Sequence, residues 1–179
     1  MNSTLPDARM IHRQHITDLT ASYAVYSDCE AYRYELTRIW DASGPRLAFV
    51  MLNPSKATEL HNDPTVERCE RRARALGFGA FRVTNIFAWR DTDPRAMCRA
   101  ADPVGPANDA TLIAAAAWAD RIIAAWGTHG AHLGRGAQVA EMLDQTGTPL
   151  LTLGLTKDGH PRHPLYVSYD QQPLQWSIR

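Results

Sequence analysis

Four short apolar runs constrain this chain most: LAFVML (Leu47 to Leu52), FRVTNIF (Phe81 to Phe87), RIIAAW (Arg121 to Trp126) and PLLTLG (Pro149 to Gly154). Runs apolar along nearly their whole length suit strands buried on both faces better than strands with one wet side. The segments between them hold helix-friendly sequence. A strand–helix alternation of this kind predicts right-handed crossovers and a mainly parallel sheet covered on both faces, a three-layer α/β/α arrangement. Ahead of the first run, AYRYELTRIW (Ala31 to Trp40) alternates polar and apolar residues. It predicts an N-terminal strand, half-buried and antiparallel to the first apolar run across the turn DASGP.

Helix punctuation is clearest after the first run. Asp63 is placed to cap a helix, Pro64 fits its first turn, and Gly77 stands just beyond TVERCERRARAL (Thr65 to Leu76). DATLIAAAAWA (Asp109 to Ala119) and AQVAEMLDQ (Ala137 to Gln145) read as two more helices, and the stretch from Thr92 to Asn108 as a loop rich in Pro and Gly. No internal repeat or low-complexity linker divides the 179 residues, which predicts one domain over 1–179.

Charge and cysteine content narrow the function classes. Formal net charge is zero, with 45% hydrophobic and 21% charged residues, so no global field draws the chain to nucleic acid or membrane. An anionic partner would need a local patch. The three cysteines, Cys29, Cys69 and Cys98, lie far apart without metal-ligand spacing, and the N-terminus lacks an apolar leader. Together these predict reduced thiols, no membrane span and a cytoplasmic location. Oligomeric state is left open.

In open α/β sheets, ligands bind outside the carboxyl ends of the strands. That rule gathers four loops, beginning at Asn53, Asn85, Gly127 and Gly154. In the first, Pro54 fixes the turn behind Asn53, whose amide can orient water or pair with a nucleobase edge. An Asx-turn with its own backbone is the plainer alternative. In the second, Asn85 stands beside Phe87, Trp89 and Arg90, suited either to stacking and reading a base or to simple core packing. The third, WGTHGAHLGRG, has neither phosphate-binding glycine spacing. The fourth, GLTKDGHPRHPLYV, gathers Lys157, His160, Arg162, His163, Leu165 and Tyr166 on a segment stiffened by Pro161 and Pro164. No cysteine or carboxylate cluster joins its histidines, so no metal and no cofactor is expected. A histidine there fits a donor to charge developing on a substrate, or a surface histidine in a polar loop.

LNPS, DPT, NIFAWR, WG and HPLY, in that order, identify the chain as a member of a bacterial family of uncharacterised function. More distantly, the pattern resembles the uracil-DNA glycosylase superfamily over roughly Leu47 to Tyr166. Asn53-Pro54 matches its first catalytic motif in the Asn-Pro form, Asn85 its base-reading asparagine, AAWG its penultimate strand, and His163-Pro164 its histidine loop. Met51 stands where that group usually carries glycine, and Ser55 follows the proline. The resemblance implies a uracil-DNA-glycosylase-like fold and hydrolysis of the N-glycosidic bond of a damaged or modified base. Asn53 and His163 would be catalytic, with Pro54, Ser55, Asn85, Phe87, Trp89, Arg90, Gly127, Lys157, Arg162, Leu165 and Tyr166 against the substrate. DNA is then the implied partner, with Arg68, Arg71 and Arg72 sharing a helix face that could grip phosphates. A module that binds a nucleobase or nucleotide without glycosylase chemistry is the alternative.

Overall fold

The computed structural model describes residues 9–178. One eight-stranded mixed sheet runs in the order β1-β2-β3-β5-β4-β6-β7-β8. Its strands are β1 (Met10–Ile16), β2 (Ala21–Ser27), β3 (Arg33–Ile39), β4 (Arg46–Met51), β5 (Ala80–Asn85), β6 (Arg121–Ala124), β7 (Leu150–Thr152) and β8 (Leu174–Gln175). The helices are α1 (Pro64–Ala75), α2 (Pro94–Arg99), α3 (Asn108–Trp118) and α4 (Arg135–Asp144).

The four apolar runs form the parallel centre. β4 lies between β5 and β6, and β7 follows β6, all in parallel register. Alternate residues feed two cores. Leu47, Phe49, Met51, Phe81, Val83 and Ile123 pack with Val66, Cys69 and Ala73 of α1 on one face. Ala48, Val50, Ile122 and Ala124 pack on the other with Leu112 of α3 and Val139 and Leu143 of α4. Leu47, Phe49 and Ile123 are fully buried, each worth about 1.5–3 kcal/mol of transfer free energy.

A mainly parallel sheet is nevertheless the wrong description. Four of the seven pairings are antiparallel, because a β1-β2-β3 meander extends one edge and β8 closes the other. β3 pairs with β5, Leu36 opposite Val83, and not with β4 as the short turn before β4 suggests. Both edges of β4 are already taken by β5 and β6, the arrangement its unbroken apolar run demands. The polar–apolar alternation of β3 suits a position further out. A second difference lies in the Pro- and Gly-rich stretch. It contains α2, opened by Asp93, whose Oδ1 accepts from Arg95 N at 2.9 Å.

α1 begins where its sequence signals put it. Asp63 Oδ1 accepts from Val66 N at 2.9 Å, Pro64 occupies the first turn, and Gly77 beyond the end takes φ +83°. Between β4 and α1 the chain makes a long loop, and two guanidinium groups hold it from beneath. Arg33 donates Nη1 to Ala57 O at 2.6 Å, and Arg38 donates Nη2 to Asn62 Oδ1 at 3.0 Å and to Thr58 O. Arg33 is fully enclosed, and burial pushes its guanidinium down to about 10, which leaves it charged at neutral pH. Among the described residues, no helix is long and apolar enough to cross a membrane.

Candidate functional site

A cavity of about 840 Å³ opens where the loops after β4, β5, β6 and β7 meet the start of α1. Of the residues singled out in the sequence, Asn53, Ser55, Gly127, Arg162, His163, Leu165 and Tyr166 line it. Ligand sites are typically concavities of roughly 300–1,000 Å³, so the size suits a small organic molecule.

Asn53 is fixed by its donor end. Its Nδ2 lies 2.8 Å from Asp91 O, 3.2 Å from Pro54 O and 3.5 Å from Trp89 O, so the amide staples the loop after β4 to the loop after β5. The Asx-turn alternative is not what holds it: among the described residues no backbone N–H donates to Asn53 Oδ1, and all three contacts are made by Nδ2. With the donor end committed to carbonyls, Oδ1 is the end that faces outward as an acceptor, able to take a hydrogen bond from water or ligand.

His163 is fixed by its acceptor end. Leu165 N–H donates to Nδ1 at 3.3 Å, which assigns the ring proton to Nε2. Burial pushes the imidazole down to about 4, against a smaller upward pull from the Asp63 carboxylate. The ring is therefore neutral at pH 7, with one N–H donor in the cavity wall. Its loop is tied back on both sides. Gly127 N donates to Pro161 O at 2.8 Å, and Gly127 takes φ +72°, a conformation that favours glycine. From α1, Arg68 donates Nε to Pro164 O at 3.0 Å and Nη2 to Val167 O at 2.6 Å.

Six expected contact residues lie elsewhere. Asn85 is 2% exposed and outside the cavity lining, its Oδ1 shut from solvent without a partner. Phe87 is fully buried and tilts against His132, with ring centroids 5.6 Å apart. Trp89 packs edge-on against Tyr32. Arg90 donates to Glu30 O at 3.0 Å and lies over the Tyr26 ring. Lys157 is exposed and outside the lining. Pro54 is likewise buried behind the wall, its carbonyl accepting from Asp91 N at 3.0 Å. The cause is backbone pairing that continues past β5. Ile86 N donates to Met51 O and Phe87 N to Leu52 O, so the chain stays beside β4 beyond Asn85. Asn108 Nδ2 then ties down Asn85 O and Ile86 O. The loop reaches the cavity only at Asp91.

Asp91 is the main residue that the sequence reading missed. It lines the cavity, and among the described residues only its Oδ1 is engaged, accepting from Asp93 N at 2.9 Å. Asp63 also lines the cavity, but both its oxygens accept backbone N–H groups, from Val66 and Ala57. Asp91 is thus the cavity carboxylate with an oxygen to spare. Lys56, Thr128, His129 and Thr156 complete the polar lining. Lys56 follows LNPS directly, a signal within reach of the sequence; Asp91 carried none beyond a turn-like RDTDP.

The basic face of α1 is engaged within the fold. Arg72 donates to Gln171 O at 2.7 Å and Ser168 O at 2.8 Å, and Arg68 holds the histidine loop as above. Arg71 and Arg74 pair with Glu67 and Glu70 one turn back. Among the described residues, no three His, Cys, Asp or Glu side chains group closely enough to hold a metal ion.

Comparison with curated proteins and with solved structures finds no match. A family model does match over residues 33–165, from the first residue of β3 to the histidine loop, and the chain belongs to that family, described as a protein of unknown function, DUF1643.

Proposed function

We propose that the protein hydrolyses the N-glycosidic bond of a base-bearing substrate, the reaction implied by its likeness to the uracil-DNA glycosylase superfamily. The observation that carries this reading is the histidine. A ring held neutral, with its proton on Nε2, is a hydrogen-bond donor to a leaving base that needs no prior protonation. Asn53 Oδ1 accepts a hydrogen bond from the attacking water. Asp91, from the loop that Asn53 staples, takes the water's proton through its unengaged oxygen. Water oxygen forms the new bond to the anomeric carbon, and the carbon–nitrogen bond breaks with its electron pair passing to the base. His163 stabilises the charge arriving on the base's carbonyl oxygen, and the proton on Asp91 returns through solvent to the base nitrogen. Atoms and charge balance as water added across one bond.

The burial of Asn85 and Phe87 away from the cavity favours a second reading, a nucleotide-binding module without hydrolysis. One assay separates the two. Nucleosides, nucleotides and oligonucleotides with normal and modified bases are incubated with the protein, and free base is quantified by chromatography. Hydrolysis predicts release that falls at least about a hundredfold in Asn53→Ala, Asp91→Asn and His163→Gln, the usual lower range for losing one acid–base or oxyanion partner. No release from any substrate, or equal release in all three variants, refutes it.

A further inference from the structure

We infer that the cavity takes a free mononucleotide, its phosphomonoester held by Lys56 and Arg162, and not a polynucleotide. The inference rests on reading the cavity as the site of a base-bearing substrate. What carries it is the commitment of the cations. A protein that tracks a nucleic-acid backbone needs a row of uncommitted Lys and Arg beside its site, because each phosphate contact is a charge neutralised. Here Arg68 and Arg72 donate to loop carbonyls, Arg71 and Arg74 pair with glutamates, and Arg33 and Arg38 hold the loop before α1; the exposed Arg95 and Lys157, next to Pro94 and Thr156 of the lining, stand outside the cavity.

Two cavity cations remain. Lys56 and Arg162 line it, both are exposed, and neither side chain has a hydrogen-bonding or ionic partner among the described residues. They come from different loops, after β4 and after β7. Arg162 N donates to Gly154 O at 2.9 Å, and its stem passes beside Gly154, where a Cβ would lie 3.5 Å from Arg162 Cδ. That leaves the guanidinium end projecting while its base is anchored. Two cations with the hydroxyls of Thr128 and Thr156 supply donors enough for one phosphate monoester, in a lining that also holds the carboxylates of Asp63 and Asp91. They do not match a strand of phosphates.

The test is equilibrium binding by calorimetry, with the four ribonucleosides, their 5′-monophosphates, ribose 5-phosphate and a single-stranded oligonucleotide of mixed sequence. At least one monophosphate should bind about tenfold or more tighter than its nucleoside, the size of one charge-assisted contact. Arg162→Gln and Lys56→Gln should erase that gain, the monophosphate then binding no tighter than its nucleoside to the same variant; both side chains are exposed, so both variants should fold as the parent does. Monophosphates no tighter than nucleosides overturn the inference. So does ribose 5-phosphate binding as well as the nucleotides, or an oligonucleotide binding tightest with a steep salt dependence. Base release from oligonucleotides alone would keep the hydrolase reading and sink this one. Tight mononucleotide binding without base release would do the reverse.

Discussion

Acid should destabilise this protein through one imidazole. His163 is held down to about 4 against an ordinary 6.5, so the unfolded chain takes up a proton there before the folded chain does. The sign follows directly. Above about pH 7 neither state is protonated and His163 contributes nothing to the pH dependence; as pH falls from 6.5 towards 4, stability is lost. Between pH 7 and pH 5 the two values give about 2 kcal/mol, and solvent screening at a half-buried ring reduces this to about 1–2 kcal/mol. A proton on Nδ1 would also set two donors against each other, since Leu165 N–H already points there. The assay is urea unfolding of the native protein and His163→Gln at both pH values. The variant, which cannot titrate, should lose less stability than the parent by that 1–2 kcal/mol. Equal losses in the two proteins refute the argument, as would an NMR titration of the His163 ring with a midpoint near 6.5. The same value implies that base release carries no titration of His163 near pH 6.5.

Asn53→Asp should destabilise the protein rather than improve it. A carboxylate in place of Nδ2 would face the carbonyls of Asp91 and Pro54, at a cost of about 2–4 kcal/mol for buried acceptors left opposed. Because the acid form regains a donor, part of that loss should return as pH is lowered, visible as a smaller gap from the parent in urea unfolding at pH 5 than at pH 8. Arg72→Ala removes two charge-assisted bonds to Ser168 and Gln171 carbonyls from a side chain that is 3% exposed, costing about 3 kcal/mol. Hydrogen exchange should accelerate over residues 168–171 before α1 is affected; uniform acceleration would argue against a local clamp.

Hydrophobic period and capping chemistry made the centre of the fold readable. An unbroken apolar run can only be satisfied with neighbours on both sides and helices on both faces, and β4 has all of these. The meander at the edge was harder to see for the opposite reason. β1, MIHRQHI, is exposed along most of its length and carries no face pattern. β2, ASYAVYS, does alternate, with Ala24 and Tyr26 buried, but its inward residues are small or carry a hydroxyl and so give a weak apolar signal. Where β3 would pair was not legible at all. Turn length favours the next strand in the chain, whereas the choice is made by which edges of the sheet remain open after the crossovers close.

The site divides on a similar line. The ends of strands are visible in sequence, so Asn53 and His163 could be placed. Where a loop leaves the sheet is not, because backbone bonds such as Phe87 N to Leu52 O leave no mark on side-chain composition. That single extension moves the contact from Asn85 to Asp91. The arginines of α1 show the same blindness for charge. Their spacing announces a stripe, yet a stripe of guanidinium groups serves phosphates and peptide carbonyls alike, since both offer oxygen acceptors at similar distances. Which one it meets depends on the chain that passes over the helix. Here that chain is the segment carrying His163, whose Pro164 and Val167 carbonyls accept from Arg68. A cation with no partner among the described residues is the better guide to where a ligand could be sought, and Arg162 and Lys56 are two such cations in the cavity lining.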